Sequence, residues 1–170
     1  MAINRKLGKR TDIRVQMVYS QASELLWHGK IETTVDRAKE VRKVAEKMLT
    51  LAINTYEDTV TVTKQKLNQK DEKFDVEFVN DGPKKLAARR KLMASLVDLQ
   101  EVQADKEKKA DFKKRTADVK HPLVEKMFRE YAPKYAKRAE ELGQKGGYTR
   151  IIKLGARRGD DAEMCILELV

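Results

Sequence analysis

The spacing of apolar residues changes several times along the chain, and each change marks an element. From Thr11 to about Trp27, Ile13, Met17, Val18, Ala22, Leu25 and Leu26 recur at three- and four-residue steps, the single stripe of an amphipathic helix. Thr11 or Asp12 can cap its start, and Gly29 after His28 can take the left-handed turn that ends it. Lys30 to Thr33 is long enough for a brief strand. Thr34 then caps a longer helix to about Tyr56, in which Ala38, Val41, Ala45, Met48 and Ala52 keep the alternation and Val44, Leu49 and Leu51 widen it. Arg37, Lys39, Arg42, Lys43 and Lys47 lie mainly off that stripe, free to reach a partner.

Between Glu57 and Pro83 the period falls to two. Thr59 to Thr63 and Phe74 to Val79 are rich in β-formers, and Asn80-Asp81-Gly82-Pro83 closes the segment, which predicts a peripheral β-hairpin over 57–83. Lys84 to Gln100 returns to helix through Leu86, Ala87, Leu92, Met93, Leu96 and Val97. Residues 100–121 are mostly charged with few large apolar side chains, so a solvated helical extension or linker is expected there. Pro122 suits the first turn of a helix through Glu130, and Pro133 should break it before an amphipathic piece ending at Leu142, giving a bent pair.

Gly143 to Gly147 reads as a hinge into a strand from Tyr148 to Leu154. After a loop from Gly155 to Asp161 comes a last strand, Glu163 to Leu169, apolar on both faces as a middle strand would be. The order helix, strand, helices, strand, strand argues for an α+β layered fold in one domain spanning 1–170, with a β-rich insertion. Met1 to Arg10 is polar and basic, carries Gly8, and reads as an extended arm.

Charge sharpens this picture. The 170 residues carry a net +10, and 38% of them are charged, which favours a polyanion as partner. The segment 57–83 holds four lysines against seven acids, a net of −3 that leaves +13 on the remainder, so the insertion is a poor candidate for a nucleic-acid face. No apolar run is long enough for a bilayer span and no apolar stretch opens the chain, so a cytoplasmic protein is expected. Cys165 is the only cysteine and cannot form an internal disulfide.

The candidate chemistry is that of phosphate contact. The arm together with Arg150, Lys153, Arg157 and Arg158 can form a basic surface, Gly155 and Gly159 let a loop backbone approach RNA closely, and Tyr148 can stack on an unpaired base. Gly143 to Gly147 is no P-loop, because a strand rather than a helix follows it. His28 and His121 lack the paired spacing of a zinc site and suit helix ends, Asp160-Asp161 suits a turn, and Cys165 suits a core. A DNA-binding module using the basic second helix is one alternative. An RNA-modifying enzyme is another, but it lacks a cofactor motif or a convergent catalytic group.

Two blocks carry a family resemblance. The first is IETTVDRAKEVRKVAEKMLTL from Ile31 to Leu51, and the second is GGYTRIIKLG from Gly146 to Gly155 with RRGD from Arg157 to Asp160. RKLGKR from Arg5 to Arg10 and the segment Val124 to Ala139 extend the match. On these residues the chain resembles the bacterial-type large-subunit (50S) ribosomal protein number seventeen family. Residues 57–83 and 100–121 have no counterpart in its shortest members, and the Ser-His-Arg run often found after the basic start is missing.

The resemblance implies a two-layer domain of helices over a small mixed three-stranded sheet, with the final strand between the other two. It also implies binding to large-subunit (23S) rRNA near the exit of the nascent-peptide tunnel, beside neighbouring large-subunit proteins. No enzyme activity, cofactor, metal or small-molecule substrate goes with it. Carried over position by position, the RNA-binding residues are Arg5, Lys6, Lys9, Arg10, Arg37, Lys39, Arg42, Tyr148, Arg150, Lys153, Arg157 and Arg158.

Overall fold

The computed structural model describes residues 5–67, 73–117 and 119–170. Its elements are α1 (Thr11–His28), β1 (Lys30–Thr34), α2 (Val35–Ile53), β2 (Thr59–Leu67), β3 (Lys73–Asp81), α3 (Pro83–Ser95), α4 (Lys109–Thr116), α5 (Pro122–Lys126), α6 (Ala132–Leu142), β4 (Thr149–Ala156) and β5 (Glu163–Leu169). This is the expected α+β arrangement of helices on a small sheet. The three-stranded sheet has the order β1-β5-β4, so the final strand is indeed the middle one.

Both pairings in that sheet are antiparallel, which corrects the expectation of a mixed sheet. The short β4–β5 loop forces one reversal. The other is fixed at Gly29, which turns the chain out of α1 at φ 81° and whose carbonyl accepts a 2.8 Å hydrogen bond from the Leu169 amide, so that β1 starts against the end of β5.

Alternation along the strands decides which face is covered. Ile31, Cys165, Leu167, Leu169 and Ile151 point at the helices and join Val18, Ala22, Leu25, Val35, Ala38, Val41 and Ala45 in one apolar cluster. A second cluster gathers Leu26, Met48, Leu49, Ala88, Leu92, Leu123, Met127, Phe128, Tyr135 and Tyr148. The α2 helix contributes to both, the reason its stripe is wide. At Cys165, burial pushes the thiol up, as suits a small side chain in a core.

Three local expectations change. The third helix ends at Ser95 rather than near Gln100, because the Val97 amide is captured at 2.9 Å by the buried Ser23 hydroxyl, which itself donates to the Tyr19 carbonyl at 2.9 Å. Pro133 does not split the helix that follows Pro122. A π-helical turn, Met127–Tyr131, joins α5 to α6, and the Ala132 amide reaches back to the Met127 carbonyl. Widening that turn accommodates the proline, which lacks an N–H and would crowd a regular α turn. Finally, residues 5–10 form a turn rather than an extended arm: Leu7 packs on the core at φ 53°, and the Lys9 amide bonds the Lys6 carbonyl at 3.1 Å.

The insertion is the expected hairpin, with β2 and β3 in register from Thr59↔Asp81 to Leu67↔Lys73. Its root is clamped. The Asp58 carboxylate accepts from the Lys84 and Lys85 amides at 2.8 and 3.2 Å, and Asp81 holds Arg89 at 2.7 Å and Lys85 at 3.1 Å. Arg89 in turn pairs with Glu125 in α5. Within 100–121 the structure places α4, which has no buried residue and is held by Arg115 pairing with Glu101 and Glu107.

Candidate nucleic-acid interface

Strand register brings separate parts of the sequence to one end of the sheet. Thr34, from which α2 departs, pairs with Met164, and Met164 pairs with Gly155 at the end of β4. The N-terminus of α2 and the β4–β5 loop are therefore neighbours. The basic turn 5–10 joins them, because Arg5 forms an ion pair with Asp36 in the first turn of α2. Lys153 lies one step in from that end, opposite Cys165, and Gly155 at φ 99° accompanies a register shift that bends the strand toward the loop.

The loop is a preset bracket. Arg157 grips Asp160 with Nε at 2.9 Å and Nη2 at 2.7 Å, and its backbone amide donates to the Ala162 carbonyl at 2.9 Å. The guanidinium holds the Asp160 carboxyl down at about 2. Arg158, exposed beside this bracket, has no acidic partner among the described residues.

The twelve sequence candidates therefore separate by what already holds them. Arg5, Arg10, Arg42, Arg150 and Arg157 pair with Asp36, Asp12, Glu46, Glu168 and Asp160 respectively. Lys6, Lys9, Arg37, Lys39, Lys153 and Arg158 have no such partner among the described residues, and all but the half-buried Arg37 are exposed. Arg150 stands apart from the sheet end: it sits at the opposite end of β4, pairing across the strands with Glu168.

Tyr148 departs from its expected role. Its ring is only 6% exposed, lies 4.9 Å from the Tyr135 ring and carries the Arg138 guanidinium 5.4 Å from its centroid, so no face is open to a base. Its contribution is to the core. The sequence signal for this was Tyr135, Arg138 and Tyr148 together, but only the hinge at Gly143 to Gly147 brings them into contact.

Sequence reasoning also missed a cleft of about 740 Å³ between α2 and α3. Tyr19, Val44, Met48, Leu51 and Leu92 line it, with Lys43, Lys47 and Lys91 around it. The four-residue step from Lys43 to Lys47 was visible in the sequence. That Lys91 would face them depended on how α3 packs. Among the described residues no cluster of three His, Cys, Asp or Glu could hold a metal ion, and no helix is long and apolar enough to cross a membrane.

Comparison of the sequence with known proteins points to one family. The family model described as Ribosomal protein L17 matches residues 17–170. A large ribosomal subunit protein bL17 from Lachnospira eligens is 39% identical over all of both chains. Its counterpart from Finegoldia magna is 40% identical over the whole of this chain and 86% of its own, and that from Clostridium botulinum is 37% identical over all of both. With a family-model match over residues 17–170 and relatives 37–40% identical along its whole length, the chain belongs to the ribosomal protein L17 family.

Proposed function

We infer that this chain is a structural constituent of the bacterial large ribosomal subunit. It binds large-subunit (23S) rRNA, helps to assemble and brace it near the exit of the peptide tunnel beside other large-subunit proteins, and so supports translation in the cytoplasm. Its family is one of ribosomal structural proteins rather than enzymes. The reading rests on one observation above all. At a single end of the sheet, Lys6, Lys9, Arg37, Lys153 and Arg158 lie on three neighbouring segments and form no ion pair among the described residues. Like charges so gathered repel one another, and an RNA backbone removes that repulsion while releasing its own counterions. The paired arginines act differently, since Arg5 and Arg157 fix the turn and the loop on which the free cations ride.

The test is the salt dependence of binding to 23S rRNA. Replacing Lys153→Gln and Arg158→Gln together removes two phosphate contacts without opening the Arg157 bracket. The slope of log K against log salt should shrink in magnitude by about 1.4 to 1.8, taking ~0.7–0.9 per contact. An unchanged slope removes this end of the sheet from the interface, and an unmodified chain indifferent to rRNA at low salt sinks the reading altogether. Sedimentation of a cell lysate supplies the assembly test: the chain should travel with the large subunit.

A further inference from the structure

The β2–β3 hairpin has two faces of different charge, which a net charge of −3 over 57–83 conceals. Residues facing one another across an antiparallel ribbon share a face. The register puts Val60, Val62, Lys64 and Lys66 of β2 on one side with Val76 and Phe78 of β3. That side carries no carboxylate among the described residues. The acids of β3, Asp75, Glu77 and Asp81, lie on the other, opposite Gln65, Thr63 and Thr59, together with Lys73 and the exposed Leu67 and Val79, so charge rather than apolar area tells the two faces apart.

The basic side, which also carries Val60, Val62, Val76 and Phe78, lacks a partner among the described residues. Val60 is 45% exposed, Val62, Val76 and Phe78 are half-buried, and the strands pack mainly on each other. A lone two-stranded ribbon is marginal in water, and nothing in the fold requires valines on its open side. Lys64 and Lys66 hold their ammonium groups 5.9 and 4.8 Å from the Phe78 ring centroid, an arrangement that keeps both charges over the apolar face without neutralising them. Nine residues of strand reach on the order of 30 Å at ~3.3 Å per residue. Because the root is held by Asp58 and by the Asp81–Arg89–Glu125 chain, that reach is aimed.

We propose that this face of the hairpin is a second RNA-binding surface, which lies along the shallow groove of a folded rRNA helix with Lys64 and Lys66 on phosphates and Val60, Val62 and Phe78 against riboses. The proposal rests on the rRNA-binding reading above. An A-form helix presents just such a wide, shallow groove lined by ribose 2′-hydroxyls, and a ribbon is flat enough to lie on it. The two lysines, two residues apart on one strand, are ~7 Å apart, comparable to the spacing of successive phosphates. The acidic side then faces away from the RNA.

The experiment compares the full chain with Lys64→Gln/Lys66→Gln and with Asp75→Asn/Glu77→Gln on the opposite face, after circular dichroism has shown the same fold in each. Binding to 23S rRNA is read across salt, with hydroxyl-radical footprinting of the riboses. The lysine variant should lose about 1.4 to 1.8 from the magnitude of the salt slope and one patch of ribose protection, keeping the protection due to the sheet end. The acidic-face variant should keep both slope and footprint. If the lysine variant matches the unmodified chain in slope and footprint, the hairpin is no RNA surface, and the sheet-end reading stands untouched. If it binds rRNA unchanged yet is lost from assembled subunits, the partner is a protein and the RNA assignment is wrong. Failure of the unmodified chain to bind rRNA overturns both.

Discussion

Helix α3 begins at Gly82, which offers no side chain to its free amides, and the cap arrives instead from 24 residues earlier in the form of Asp58. The Asp58 carboxylate accepts from the Lys84 and Lys85 amides at 2.8 and 3.2 Å, while the Gly82 amide donates to the Asp58 carbonyl at 2.8 Å. A Cβ at Gly82 would lie well inside van der Waals contact with all three carboxyl atoms of Asp58. Backbone strain is not the reason for this glycine, since its φ of −68° suits any residue. Asp58→Ala should cost about 1–2 kcal/mol, combining a lost side-chain cap (~0.5–2) with a lost charge at the helix dipole (~0.3–1). Gly82→Ala should cost a similar amount, because the methyl group expels the same carboxylate. The two costs are one event, so the double variant should be about as stable as Asp58→Ala alone, a coupling of about 1 kcal/mol or more. Asp58→Asn, which keeps an acceptor but no charge, should fall between. Urea unfolding of the four proteins measures this cycle. Additive losses would show that Gly82 is required for some reason other than the approach of Asp58.

Two further outcomes follow from particular atoms. Asp160, drawn down to about 2 by Arg157, has a folded value below its ordinary 3.8, so the loop bracket is fully present above that ordinary value and is lost as pH falls through about 2. Carboxyl NMR should show that midpoint, and Arg157→Gln should return it toward 3.8; a midpoint that stays low without the guanidinium refutes the assignment. Tyr135 buries a hydroxyl that has no hydrogen-bond partner among the described residues, in a side chain 1% exposed whose burial pushes the phenol up to about 12. Tyr135→Phe should therefore stabilise the chain by about 1 kcal/mol in thermal or urea unfolding, and a loss of stability would mean that the hydroxyl is satisfied after all.

What the sequence reveals and what it hides divide along a physical line. Both early helices, the brief strand and the last two strands were legible because their apolar spacing is set by the face they bury, and β5 announced its central place by being apolar on both sides. Events decided by distant atoms were not. Val97 leaves its helix for Ser23, and Tyr148 meets Tyr135 across a glycine hinge. The twelve candidate residues could be named through the family resemblance, but charge pairing could be read only in part. Arg10 with Asp12, Arg42 with Glu46 and Arg157 with Asp160 are local pairs that the spacing contains. Arg5 with Asp36 and Arg150 with Glu168 need the fold. The hairpin's division of charge between its faces was hidden for a simpler reason: a sum over a segment erases the alternation that a strand imposes.

The hairpin is joined to the rest of the chain by charge and capping more than by apolar packing, and this has a consequence for how it can act. Burial pushes the Asp81 carboxyl up, but hydrogen bonds from Arg89 and Lys85 more than offset it, leaving the group below the usual carboxylate range. Arg89 lies with its guanidinium 5.1 Å from the Phe128 ring centroid and also holds Glu125, so one side chain links hairpin, α3 and α5. A ribbon anchored through the apolar clusters could not change length or face without repacking α2 and α3. Anchored through Asp58 and Arg89, it can be altered along its whole length while Leu49, Leu92 and Met127 stay as they are. Removing Arg89 would leave Asp81 to Lys85 and Glu125 to Arg129 with nothing joining the two, and the ribbon would lose its direction before the core lost its packing. Aim and fold are thus held by different forces, and the faces of the ribbon can diverge without cost to the domain beneath it.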